Sequence, residues 1–174
     1  MLATHIIKRS SFLISWSRRN PFTSSSIIKH IFPFQHIMAI HMKGRCVCKN
    51  LQYSLDLEKE EDARTTLCHC KSCRRAFGTN YGLTAKVPLG SFKYESGIPK
   101  KHRQENGVTR EFCDNCGAFI CEYGEAAADK FRYIMWGTLD EPEKVPPKGE
   151  FFCKYRTDWM PEIPGTFKKN EIKE

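Results

Sequence analysis

Seven of the nine cysteines in this chain fall into three tight clusters: Cys46-Val47-Cys48, Cys68-His69-Cys70-Lys71-Ser72-Cys73 and Cys113-Asp114-Asn115-Cys116-Gly117. Thiols two or three residues apart can converge on one tetrahedral ion, because a zinc–sulfur bond is about 2.3 Å long. The two pairs, Cys46/Cys48 and Cys113/Cys116, supply four sulfurs for a closed site of the kind that holds a fold together. The triplet Cys68, Cys70 and Cys73 supplies three, which leaves one coordination position for a reacting molecule. In an extended segment Cys68 and Cys70 project to one side and His69 to the other, so His69 reads as a supporting or core residue rather than a ligand. Cys73 returns to the same ion as the chain bends into a short helix. Thiolates with no redox partner favour zinc over iron, giving two zinc ions per chain.

The residues around the clusters extend the pattern. Lys71, Arg74 and Arg75 flank the triplet; they either offset thiolate charge or receive an anionic substrate. Gly117 follows the second knuckle, where a positive φ lets backbone amides turn toward the sulfurs. Cys121 and Cys153 have no close cysteine partner and read as small buried residues. The alternative is that one of them completes the triplet. Disulfides would demand an export signal. The best apolar stretch, Phe12-Leu13-Ile14, is too short for one. Metal-bound thiols in a reducing compartment fit better.

The elements that must position these sulfurs read as short strands broken by turns. Residues 50–57 alternate apolar and polar, as a half-buried strand does. Further strands are expected over 81–87 (ended by Pro88), 90–94, 108–112, 118–123 and 131–136. Helices are expected only at 71–77 and 125–129. Trp136 and Trp159 could line a thiol pocket, but strand aromatics are more often core, and they are assigned no site role. Asn80 and Tyr81 follow the triplet closely enough to be pocket residues, and equally read as turn residues.

Charge is unevenly distributed. The net charge is +8, from 28 basic and 20 acidic residues, yet the first carboxylate is Asp56. The excess therefore lies at the N-terminus, and residues 56–174 are neutral. A neutral body gives no sequence-level case for a nucleic-acid or anionic-membrane surface there. No run of about 18 apolar residues exists to span a bilayer. Residues 1–40, rich in Ser, Arg, Lys and Ile and free of acid, have the composition of a mitochondrial transit peptide. That reading places the protein in the mitochondrial matrix; without targeting it would be cytoplasmic. The globular domain is expected over residues 42–165, followed by a charged tail over 166–174 that is frayed from Lys168 onward.

Taken together, Gly44-Arg45-Cys46-Val47-Cys48, Cys68 through Gly78, and Thr109 through Gly117 resemble the glutathione-dependent formaldehyde-activating enzyme family, also called the CENP-V/GFA domain. Weaker echoes are Phe92-Lys93-Tyr94 with Ser96-Gly97, residues 137–142, and Asp158-Trp159-Met160. The resemblance implies a mostly β, Mss4-like fold of short antiparallel strands with few short helices. It implies a structural zinc on Cys46, Cys48, Cys113 and Cys116, and a zinc associated with activity on Cys68, Cys70 and Cys73. The activity implied is carbon–sulfur lyase chemistry: condensation of formaldehyde with glutathione to S-(hydroxymethyl)glutathione. The non-catalytic alternative is a zinc-stabilised binding module or a glutathione carrier.

Overall fold

The computed structural model describes residues 39–172. The N-terminal segment read as a transit peptide lies, but for its last two residues, outside them. The strands are β1 (Ile40–Arg45), β2 (Gln52–Leu57), β3 (Arg64–Cys68), β4 (Gly82–Pro88), β5 (Phe92–Ser96), β6 (Lys100–Arg103), β7 (Val108–Phe112), β8 (Phe119–Gly124), β9 (Phe131–Met135), β10 (Gly149–Phe151) and β11 (Phe167–Lys169). The single α-helix among the described residues is α1 (Lys71–Phe77). The fold is mostly β, as expected. β1, β2 and β5 form a three-stranded sheet; the other eight strands run in the order β11-β10-β3-β4-β9-β8-β7-β6.

Alternation explains how the sheets meet. Met42 in β1 and Tyr53, Leu55 and Leu57 in β2 are buried, while Lys43 and Arg45 point outward. They share one apolar core with Ala85 and Val87 of β4, Ile120 and Cys121 of β8, and Ile134 of β9. A single bridge, Gly44 to Leu139, joins β1 to the turn after β9. Gly44 is required there, because a Cβ would collide with the Tyr53 ring. The Tyr53 hydroxyl lies 2.7 Å from Thr138 Oγ1, which donates to the Met135 carbonyl.

The structure differs from the sequence expectation in three places. The strands are not all antiparallel: β10 runs parallel to both β3 and β11. The chain leaves β9, crosses the end of the sheet through residues 136–148, and enters beyond β3 in the same direction. The charged C-terminus is not frayed throughout, since Phe167–Lys169 adds the edge strand. The Phe167 ring packs against Phe151 at 5.6 Å between centroids, over Gly149 where no Cβ would fit. Finally, the expected helix at 125–129 is a 3-10 turn over Glu125–Ala127.

Candidate metal centres and the adjoining cleft

Two hairpin-like turns build the first sulfur cluster. In the β1–β2 turn, Cys46 N donates to Leu51 O (3.0 Å) and Lys49 N to Cys46 O (3.1 Å), with Lys49 at φ 67°. In the β7–β8 turn, Cys113 N donates to Ala118 O (2.9 Å) and Gly117 N to Cys113 O (2.8 Å). Gly117 takes φ 71°, the positive value expected from its place after the knuckle. These turns bring the Sγ atoms of Cys46, Cys48, Cys113 and Cys116 within 4.8 Å of one another. The Cys46–Cys48 and Cys48–Cys113 separations are both 3.5 Å. Sulfurs at the corners of a tetrahedron with bonds of 2.3 Å are about 3.8 Å apart, so this donor set fits a zinc ion. All nine cysteines are free thiols.

Hydrogen bonds favour thiolate at two of these four sulfurs, those of Cys48 and Cys116. The Leu51 amide donates to Cys46 Sγ at 3.2 Å. Hydrogen bonds from the Asn115 side chain and the Asn50 backbone pull Cys48 down to about 6. The Ala118 and Cys48 amides likewise hold Cys116 below the usual thiol range. Backbone hydrogen bonds from Cys116 and Asn115 pull Cys113 down, but burial and its contacts with the Cys48 and Cys116 sulfurs outweigh them and push it up to about 11. Metal ligands must be deprotonated, so binding a cation at this cluster would release protons.

The second cluster forms where β3 runs into α1. Cys68 ends the strand, Cys70 caps the helix by accepting from Cys73 N at 3.4 Å, and Cys73 lies in the first turn. Their three sulfurs also lie within 4.8 Å of one another, and all three residues are half-exposed. The Cys73 thiol donates to Cys68, which lowers Cys68 to about 6 and pushes Cys73 up. Glycine is needed opposite Cys68: a Cβ on Gly82 would lie 2.8 Å from the Phe77 ring and 3.1 Å from Cys73 Cβ. Its absence lets α1 fold down onto β4.

His69 turns away from the sulfurs and is wholly buried. Its Nε2 donates to Glu150 Oε2 at 3.0 Å, and its backbone N–H to Phe151 O at 3.0 Å. Glu150 is also wholly buried, and accepts from Ile163 N and Thr166 Oγ1, each at 3.1 Å. Sequence reasoning missed Glu150, because a glutamate between Gly149 and Phe151 looks like surface. The available signal was indirect: a buried histidine demands a partner. Neither remaining cysteine joins the triplet. Cys121 is buried and donates to Glu111 Oε2 at 3.4 Å; Cys153 donates to Glu150 O at 3.5 Å.

Between the clusters lies a cleft of about 610 Å³, lined by Ala76, Phe77, Thr79, Asn80, Tyr81, Leu83, Gly117, Phe119, Met135, Trp136 and Gly137. A smaller recess of about 290 Å³, against Cys46 and Thr138, shares Gly137. Asn80 and Tyr81 are thus cleft residues, and Asn80 Nδ2 also reaches Met160 Sδ at 3.2 Å. The two tryptophans differ: Trp136 is half-buried, packing against the core and lining the cleft wall, its Nε1 donating to Val145 O at 3.0 Å. Trp159 is 73% exposed. Lys71, Arg74 and Arg75 do not line the cleft, and none of them forms an ion pair among the described residues.

A family model described as glutathione-dependent formaldehyde-activating enzyme matches residues 41–155. No curated protein matches the chain. A crystal structure of a Rhodobacter sphaeroides protein is similar at 21% identity, covering 57% of this chain and 88% of that one, with a TM-score of 0.46.

Proposed function

The chain belongs to the glutathione-dependent formaldehyde-activating enzyme family, and from that premise we propose that it is a zinc-dependent carbon–sulfur lyase. Its substrate would be glutathione or a similar thiol, together with the formaldehyde adduct of that thiol. One observation carries the reading. The three-sulfur cluster is half-exposed beside a cleft, and no fourth His, Cys, Asp or Glu among the described residues joins it. A closed second site would have favoured a purely structural module; this one is built to leave a position free.

Cys68, Cys70 and Cys73 would hold the zinc of the open site, and Cys46, Cys48, Cys113 and Cys116 that of the closed one. A zinc ion in the open site supplies Lewis acidity that lowers the pKa of a thiol beside it. The protein's own groups handle recognition. Lys71, Arg74 and Arg75 on α1 form no ion pair among the described residues and would meet the carboxylates of the tripeptide. The substrate S–H then adds across the aldehyde C=O: a carbon–sulfur bond forms and the thiol proton passes to the carbonyl oxygen. The lyase direction reverses both changes. Holding thiol and aldehyde together contributes through proximity.

The decisive measurement is the rate at which S-(hydroxymethyl)glutathione forms and decays with purified holo-protein. We expect acceleration by the native protein and none by Cys70→Ala. That variant should keep its far-UV circular dichroism and one bound zinc. Absence of any acceleration by the native protein would reject the lyase reading. We extend the proposal to a mitochondrial location, on the acid-free composition of residues 1–40. A fluorescent fusion of residues 1–45 should enter mitochondria, and a cytosolic signal would reject it.

A further inference from the structure

The cleft beside the open sulfur site is far larger than formaldehyde needs. Formaldehyde has two heavy atoms, comparable to one or two waters at about 30 Å³ each. The cleft encloses about 610 Å³, within the range of pockets that take whole small molecules. Its walls do not suit the body of glutathione either. Phe77, Tyr81, Leu83, Phe119, Met135 and Trp136 supply most of the lining, and no charged side chain contributes. A carboxylate or ammonium placed there would lose its water without gaining a partner, which costs several kcal/mol.

The cleft adjoins the sulfur site through α1, which carries Cys73 in its first turn and Ala76 and Phe77 at its end; Phe77 lines the cleft, and it and Cys73 both crowd the Cβ position of Gly82. Tyr81 and Leu83 flank Gly82, the residue paired with Cys68. A group attached to the carbon that bonds the substrate sulfur would therefore enter this space. The tripeptide's charges would stay outside, with Lys71, Arg74 and Arg75. Apolar side chains left half-exposed together in one depression mark a binding surface for an apolar group.

We propose that this cleft binds the apolar side group of an aldehyde larger than formaldehyde, so that the substrates include thiol adducts whose carbon carries an aryl or alkyl group. The proposal rests on the thiol-adduct reading above, and the chemistry is unchanged. Thiol sulfur bonds to the aldehyde carbon, the thiol proton moves to oxygen, and cleavage returns both.

Binding of stable analogues to the zinc-loaded protein tests it by isothermal titration calorimetry. S-benzylglutathione mimics an aryl-aldehyde adduct, and S-methylglutathione lacks the ring. The expected ratio of affinities is at least about tenfold in favour of the benzyl compound, as for an apolar group filling an apolar pocket. In Trp136→Ala the ratio should fall toward one. Tyr81→Ala provides a second wall variant should loss of the Trp136–Val145 hydrogen bond prevent folding, and bound zinc verifies that each variant is folded. Equal affinities in the native protein overturn the proposal while leaving the glutathione reading intact. A preference for benzyl mercaptan over ethanethiol, with no binding of either glutathione derivative, supports the cleft and overturns glutathione as the substrate. Binding of none of these compounds overturns both.

Discussion

Glu150 illustrates how much a single side chain can organise around a metal-binding turn. One carboxylate oxygen holds His69 and the other holds Ile163 N and Thr166, all away from solvent. The residue thereby fixes the strand end that carries Cys68 and the segment that leads to β11. Burial alone would raise its pKa, but the hydrogen bonds from His69, Ile163 and Thr166, with Arg156 at 4.0 Å, outweigh that and hold it below the ordinary carboxylate value. Glu150→Ala should cost about 3–5 kcal/mol, as when one partner of a buried pair is removed. Glu150→Gln keeps the shape and should cost about 1–3 kcal/mol, the value of a hydrogen bond to a charged group. Urea unfolding of the zinc-loaded proteins measures both. The sign of the pH dependence follows from the depressed pKa. The carboxylate's contribution is complete above the unfolded value of about 4.3 and is lost as pH falls through the lower folded value. The stability gap between native protein and Glu150→Gln should therefore be flat above about pH 5 and close on acidification. A gap that persists unchanged to low pH would show that the charge is not what matters.

Individual elements were legible in the sequence to different degrees, and the physical reasons differ. Residues 71–77 are a helix as expected, because the Cys70 cap and Gly78 at φ 64° punctuate both ends. β4 stops at Pro88 and β2 shows its alternation plainly. Each sulfur cluster was legible from its local spacing, and the joining of Cys46/Cys48 with Cys113/Cys116 followed because two pairs make four sulfurs and leave the triplet on its own. β6 was invisible because all four of its residues, Lys100–Arg103, are exposed and polar, and it is held only by β7. β10 and β11 have three residues each, too few for a period, and their parallel pairing depends on partners distant in the chain. The cleft was also unreadable, because its wall combines α1, β4, β8 and the turn after β9. One turn residue tests the element scale directly. Gly97 ends β5 at φ 75°, and a Cβ there would collide with the Asn50 carbonyl oxygen in the turn that leads from Cys48 into β2. Gly97→Ala combines left-handed strain with that collision and should destabilise by about 1–3 kcal/mol. Gly90→Ala, where nothing lies within 4 Å of the added atom and φ is not positive, should change stability by less than about 0.5 kcal/mol. Thermal unfolding of both variants decides, and equal effects would remove the argument.

At the scale of the whole molecule, the proposed function gives the two sulfur clusters different tasks, and stepwise metal removal should separate them. The four-sulfur cluster links the β1–β2 turn of the small sheet to the β7–β8 turn of the large one, joining Cys48 and Cys113 across 65 positions of chain. Closing so long a loop contributes several kcal/mol by restricting the unfolded chain, and a structural zinc adds its binding free energy to folding directly. Two of its sulfur-bearing residues, Cys46 and Cys113, are only 2% exposed. The triplet instead lies within six consecutive residues at one strand end, so its closure restricts little chain, and all three of its sulfur-bearing residues are half-exposed. A competing chelator should therefore take zinc first from Cys68, Cys70 and Cys73. Native mass spectrometry should then show a one-zinc species that retains β circular dichroism and a cooperative unfolding transition but no lyase activity. Removal of the second zinc should coincide with loss of that transition. Cys113→Ser should mimic the second step, and Cys73→Ser the first. If both ions leave together, or if the one-zinc species is already unfolded, the division of labour between a closed structural site and an open reactive one is wrong, and the stability of the two sheets does not depend on the sulfurs that join them.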